Sequence, residues 1–66
     1  MEEYYTYFLN EIGEGMASLP GIVPIVIGTQ VIIHGYTGKA FIVKDILFKV
    51  DQPDNKPGLH ITLKEL

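Results

Sequence analysis

The stretch EYYTYFLNEIGEGMASLP, residues 3 to 20, decides how the rest of the chain is read. Tyr5, Leu9, Ile12, Met16 and Leu19 recur at spacings of four and three, and Phe8 widens the stripe. That period places apolar side chains along one face of a helix over about residues 3–17. Glu2 and Glu3 fall in its first turn, where the helix dipole favours negative charge. Gly13 and Gly15 weaken its last turn by roughly 1 kcal/mol each relative to alanine. Pro20 ends it, because proline cannot continue the hydrogen-bond ladder. The helix is expected to dock through Leu9, Ile12 and Met16. Tyr4 and Tyr7 flank the stripe, with apolar rings and wet hydroxyls, and tyrosines so placed also serve as interface anchors.

Beyond Pro20 the pattern is that of strands. IVPIVI (22–27) and QVIIHGY (30–36) are rich in β-branched residues, and Gly28-Thr29 suits a two-residue hairpin turn with glycine first. Pro24 cannot donate to a ladder, which makes 22–27 an edge strand. KAFIVKDILFKV (39–50) is a long strand whose alternation stumbles at Lys44-Asp45, the mark of a bulge or sharp bend. DQPDNKPG (51–58) is a loop, and LHITLKEL alternates cleanly, with Leu59, Ile61 and Leu63 on one face. The fold class implied is α+β in a single domain, residues 1–66. An N-terminal amphipathic helix packs on a strongly bent antiparallel meander of three or four strands, near 22–27, 30–36, 39–50 and 58–65. Such a sheet can take the form of a small barrel.

HGYTGKAF (34–41) is the stretch closest to chemistry, since Gly35, Gly38 and Lys39 invite comparison with a phosphate loop. Such a loop runs from a strand through glycines into a helix whose first amides face the anion. Here a strand-like AFIV follows Lys39, Ala40 stands where serine or threonine would hold magnesium, and only two residues separate the glycines. A turn with Thr37-Gly38 at its centre accounts for Gly38 by its tolerance of positive φ. Neither His34 nor His60 has a partner at zinc-ligand spacing. Asp45 sits between apolar triplets, where it pairs with Lys44 or turns outward. No nucleophile has a base beside it in sequence. No catalysis, metal or cofactor is expected.

The bulk properties narrow the partners. The 66 residues include no cysteine, so nothing staples a core that a chain this short can bury only in part. A cysteine-free chain with the acidic start MEEYY is expected in the cytoplasm, without an export signal. GIVPIVIG is far shorter than the ~20 residues of a membrane helix, so no membrane partner is expected. Net charge is −3 and all five cationic residues are lysines. Without arginine, and acidic overall, the chain lacks the usual means of neutralising phosphates, and nucleic acid is not an expected partner.

IGTQVIIHGYTGKAFIVKD (27–45) is similar to the Gly-x-x-Val-x-Ile…Gly…Gly pattern of Sm-like and SH3-like small barrels, including KOW segments. The likeness covers under a third of the chain. It implies a strongly bent antiparallel sheet. No arginine or aromatic set stands at an RNA-contact position of those families, and their fifth strand is not expected after LHITLKEL.

Two-residue turns at Gly28-Thr29 and Thr37-Gly38 would put Val26 beside Val31 and Ile33 beside Ile42 on one face. Ile25, Ile32 and Val43 fall on the other. One helix covers one face, so the second needs the sheet to curl, a second copy or another protein. The expected function is a non-catalytic, self-associating module that docks on another protein as a regulator or inhibitor, including one encoded by a phage or mobile element, a step no residue carries. Its contact residues are Ile25, Ile32 and Val43, with Tyr4 and Tyr7 at the rim. The alternative is an Sm-like binder of small phosphorylated ligands or single-stranded nucleic acid, using His34, Tyr36, Lys39 and Lys44.

Overall fold

In a computed structural model, which describes residues 4–50 and 57–66, the opening stretch is a hairpin of two strands and no described residue is helical. The α+β expectation and the helix over 3–17 are therefore wrong, and the reason lies in the residue types. Tyr-Thr-Tyr-Phe-Leu is aromatic and β-branched, a composition that fits a half-buried pleated surface. It forms β1 (Tyr5–Leu9), in which Thr6 and Phe8 are buried while Tyr5, Tyr7 and Leu9 are half-buried on the other face. The three-and-four spacing coincided with this alternation for a few residues only. The glycines that would weaken a helix make the turn instead. Gly13, at φ 90°, donates to the Asn10 carbonyl at 3.0 Å, and Asn10 donates to the Glu14 carbonyl at 2.9 Å. The Asn10 carboxamide closes the loop: its Oδ1 accepts from the amides of Ile12 (3.1 Å) and Glu14 (2.8 Å), and its Nδ2 donates to Glu14 Oε1 (2.9 Å). Ile12, placed in the core by the helical reading, is 80% exposed at the tip.

β2 (Gly15–Pro20) runs antiparallel to β1, with a bulge at Met16, because Phe8 pairs with Ala17 and Leu9 with Gly15. The other strands are β3 (Gln30–Val31), β4 (Phe41–Lys49) and β5 (Gly58–Glu65). Together they make one curled, half-barrel-like sheet in the order β2-β1-β5-β4-β3. It is no meander, since β1 lies parallel to β5 at the centre. The remaining pairs are antiparallel. The curvature is that of a small barrel, as the residues of 27–45 implied.

The stretch expected as strands over 22–27 and 30–36 is mostly irregular, with only Gln30–Val31 pairing to β4. The turn near Gly28 is one residue earlier than expected: Thr29 donates to the Val26 carbonyl at 3.2 Å, with Gly28 at φ 96°. Val31 pairs with Phe41 and Gln30 with Ile42, so the expected pairs Val26–Val31 and Ile33–Ile42 do not form. Pro24 removes a donor from the middle of 22–27, and the sheet's own curvature offers this segment an interior to cover rather than a strand to join. The break at Lys44 is a bulge, where the register slips between Val43 and Asp45, so that Val43 and Ile46 both face the interior. The loop over 51–58 lies, apart from Pro57 and Gly58, outside the described residues, as do Glu2 and Glu3.

The core is Phe8, Phe41, Val43, Leu59, Ile61 and Leu63, gathered on the concave face, with Met16, Ile25, Val31, Ile33 and Tyr36 packed against it. Thr6 is the one polar residue wholly buried among the described residues. The Thr6 hydroxyl donates to the Gly21 carbonyl and accepts from the Val23 amide, both at 2.9 Å, and so fastens the segment after β2 across the core. At the start of β5, a Cβ on Gly58 would run into the backbone carbonyl of Tyr5, so the parallel pair requires glycine there.

Two substitutions test this account. Thr6→Val keeps the shape but leaves the Val23 amide and Gly21 carbonyl without their partner, and should destabilise by about 1–3 kcal/mol; Thr6→Ser should retain most of the stability. Gly58→Ala should cost roughly 1–3 kcal/mol or more by overlap with backbone. Both are large against the ~3–10 kcal/mol expected of a domain this size. Denaturant unfolding monitored by circular dichroism measures both.

Candidate interaction surface

A sheet with its core on the concave side presents its other face outward. The registers align Tyr7 with His60 and His60 with Leu47, opposite to the buried Phe8, Ile61 and Leu59. Tyr5 and Tyr7 stand two residues apart on β1, their ring centroids 6.1 Å apart, and Tyr7 lies 5.0 Å from the His60 ring. Leu47 is exposed beside them. The convex face therefore carries an aromatic row with an aliphatic neighbour. At the end of the sheet where β1 begins, the Tyr4 ring lies 6.1 Å from that of Phe48, which shares the core face but is half in water.

The expected contact residues separate. Tyr7 belongs to the convex row and Tyr4 to the Phe48 pair. Ile32 is 79% exposed on the loop after β3. Val43 is 1% exposed in the core, and Ile25, half-buried, packs against that core. Their placement followed from a register with two strands the fold does not contain. Tyr5, Leu47 and His60 were missed as a group, although the alternation of residues 5–9 carries the signal for Tyr5.

The alternative ligand residues come together in part. His34, Tyr36 and Lys39 line an open depression of about 380 Å³ formed by the loop over residues 32–40. Two successive turns shape it: Tyr36 donates to the Ile33 carbonyl (3.1 Å) and Lys39 to that of Tyr36 (3.2 Å), with Gly38 at φ 77° in the second. Tyr36 meets Phe41 edge to face at 5.8 Å. The Tyr36 and Lys39 amides are therefore engaged in turns. The Lys39 ammonium pairs with Glu65 at 3.4 Å. Lys44 lies elsewhere, 2.9 Å from Glu11 on the β1–β2 turn. A second open depression, about 370 Å³, lies between that turn and the loop, lined by Ile12, Met16, Tyr36 and Phe41 with Lys39 and Glu65 at its edge. Among the described residues no three His, Asp or Glu side chains are grouped to hold a metal ion.

The hydrogen bond and charge of Lys44 hold the Glu11 carboxyl below the ordinary carboxylate range, and Glu11 in turn raises Lys44. A depressed carboxylate stabilises the fold above its unfolded pKa and loses that contribution as pH falls through the folded value; the raised lysine loses its share only as pH climbs through its own. Both groups are exposed, so the effect on stability is small. No known protein family, curated protein or solved structure matches the chain. The likeness of residues 27–45 to small barrels thus rests on curvature alone.

Lys44→Met should return the Glu11 carboxyl to its ordinary titration range while leaving the melting temperature nearly unchanged. A carboxyl-resolved NMR titration from neutral to acid pH reads the first effect and a thermal melt the second.

Proposed function

We propose that the chain is a small, non-catalytic protein-binding module that associates with itself and docks on another protein as a regulator or inhibitor. One observation carries this reading. Among the described residues ten large apolar side chains are 46–80% exposed, against six in the core. Single exposed hydrophobics are ordinary, but here Leu47 borders the aromatic row and Phe48 the Tyr4 ring, so the exposure is contiguous with aromatic surface of the kind that anchors interfaces. A domain with so small a core, no disulfide and positive mean hydropathy gains stability most readily by association. The absence of cysteine suits a reducing compartment such as the cytoplasm.

A second reading is kept by one feature, the convergence of His34, Tyr36 and Lys39 on a single depression. Binding of a phosphorylated ligand or single-stranded nucleic acid there would weaken steeply as salt rises, whereas apolar docking would not.

Light scattering behind size exclusion, over a hundredfold dilution series, should give a mass above one chain at the concentrated end and a melting temperature that rises with concentration. One-chain mass throughout, with a concentration-independent melt, would count against self-association. Saturable binding of a nucleotide or oligonucleotide that Lys39→Ala abolishes would favour the second reading instead.

A further inference from the structure

β2 is one edge of the sheet, with no strand beyond it among the described residues, and it bears no charged side chain. The direction of its backbone groups can be read from both ends of the hairpin. Gly21 donates to Tyr4 at 2.8 Å, and antiparallel pairs alternate between hydrogen-bonded and non-bonded. In the register Tyr5↔Pro20, Thr6↔Leu19, Tyr7↔Ser18, the bonded partner is thus Leu19, and Ser18 and Pro20 point their backbone groups away from β1. The turn agrees: Asn10 and Glu14 are bonded, Leu9 and Gly15 are not, and Phe8 with Ala17 is bonded again across the bulge. Pro20 accordingly lacks an N–H where the ladder asks for none. Ser18 has both its N–H and its C=O facing outward at an edge without the charges that usually protect one.

We infer that β2 pairs antiparallel with β2 of a second copy about a two-fold axis at Ser18, joining two five-stranded sheets into one. This rests on the self-association proposed above and names its surface. Ser18 exchanges two hydrogen bonds with its own copy. Leu19, half in water in the single chain, comes opposite the small Ala17 of the other copy on the core side, and the two-fold makes this contact twice. That large-on-small match, repeated by symmetry along a strand without charge, is what selects a second copy of this acidic chain over an unrelated peptide. Pro20 and the bulge at Met16 blunt the two ends, so the pairing is short. It buries less than the ~1,600 Å² of a standard interface and is reversible.

The chain has no cysteine, which makes single-cysteine cross-linking clean. Directly opposed bonded residues stand about 5.5 Å apart at Cα, within reach of a disulfide. Ser18→Cys under mild oxidation should give a covalent dimer on a non-reducing gel, while Leu47→Cys on the convex face and Ile32→Cys on the loop give little. Ser18→Pro removes the outward donor without touching the bonds to β1, and should shift light scattering to one chain at concentrations where the parent is a dimer. Ser18→Lys should do the same if the proline variant fails to fold by circular dichroism. A dimer that persists in both variants, with no preference for cross-linking at position 18, overturns the edge pairing and leaves self-association standing. A parent of one-chain mass at every dilution overturns both.

Discussion

The parallel contact between β1 and β5 is what the rest of the sheet hangs on. The β1–β2 hairpin closes through its own turn, and β4 and β5 pair as neighbours in sequence, but neither unit has an interior by itself. Joined, they give the central strand β5 neighbours on both sides and bury Leu59, Ile61 and Leu63 against Phe8, Phe41 and Val43. Two residues at the same end make the junction. Gly58 lets the backbone of β5 approach Tyr5, and Thr6, beside it on β1, ties the following chain down over the core. A buried hydroxyl with both its bonds made is a point of order in a core otherwise built from non-directional contacts.

The features legible in the sequence are those set by near neighbours. The stumble at Lys44-Asp45, the alternation of residues 59–63 and the turn around Gly38 each follow from a few adjacent side chains. The first twenty residues were not legible in that way. Over so short a span, apolar positions at three and four overlap those at two, and the deciding information lay in residue type: an aromatic and β-branched run, then Asn10 and Gly13 at turn spacing. The parallel pairing has no local signature, so the sheet order was beyond any reading of periodicity. A strand over 22–27 would put Val43 and Ile25 on an outer face, whereas the outer face is marked by Tyr5, Tyr7 and His60.

Exposed apolar side chains lie at both ends of the sheet among the described residues. The ion pairs Lys39–Glu65 and Lys44–Glu11 gather near the β1–β2 turn and the loop over 32–40. Among the described residues, the end where β1 begins and β4 finishes carries Tyr4, Leu19, Ile22, Phe48 and Val50 together with Lys49. Exposed ion pairs of this sort add little to stability.

The pairing of Tyr5 with Gly58 also governs how the fold is reached. These partners are more than fifty residues apart in sequence, and contacts of that separation form only after most of the chain has lost its freedom. The two hairpins can each assemble quickly on their own, yet each then exposes half an interior until they meet. Folding is therefore expected to be slow for so small a chain, and its most vulnerable species is a pair of unjoined hairpins with open edges, a form prone to joining the wrong partner at high concentration.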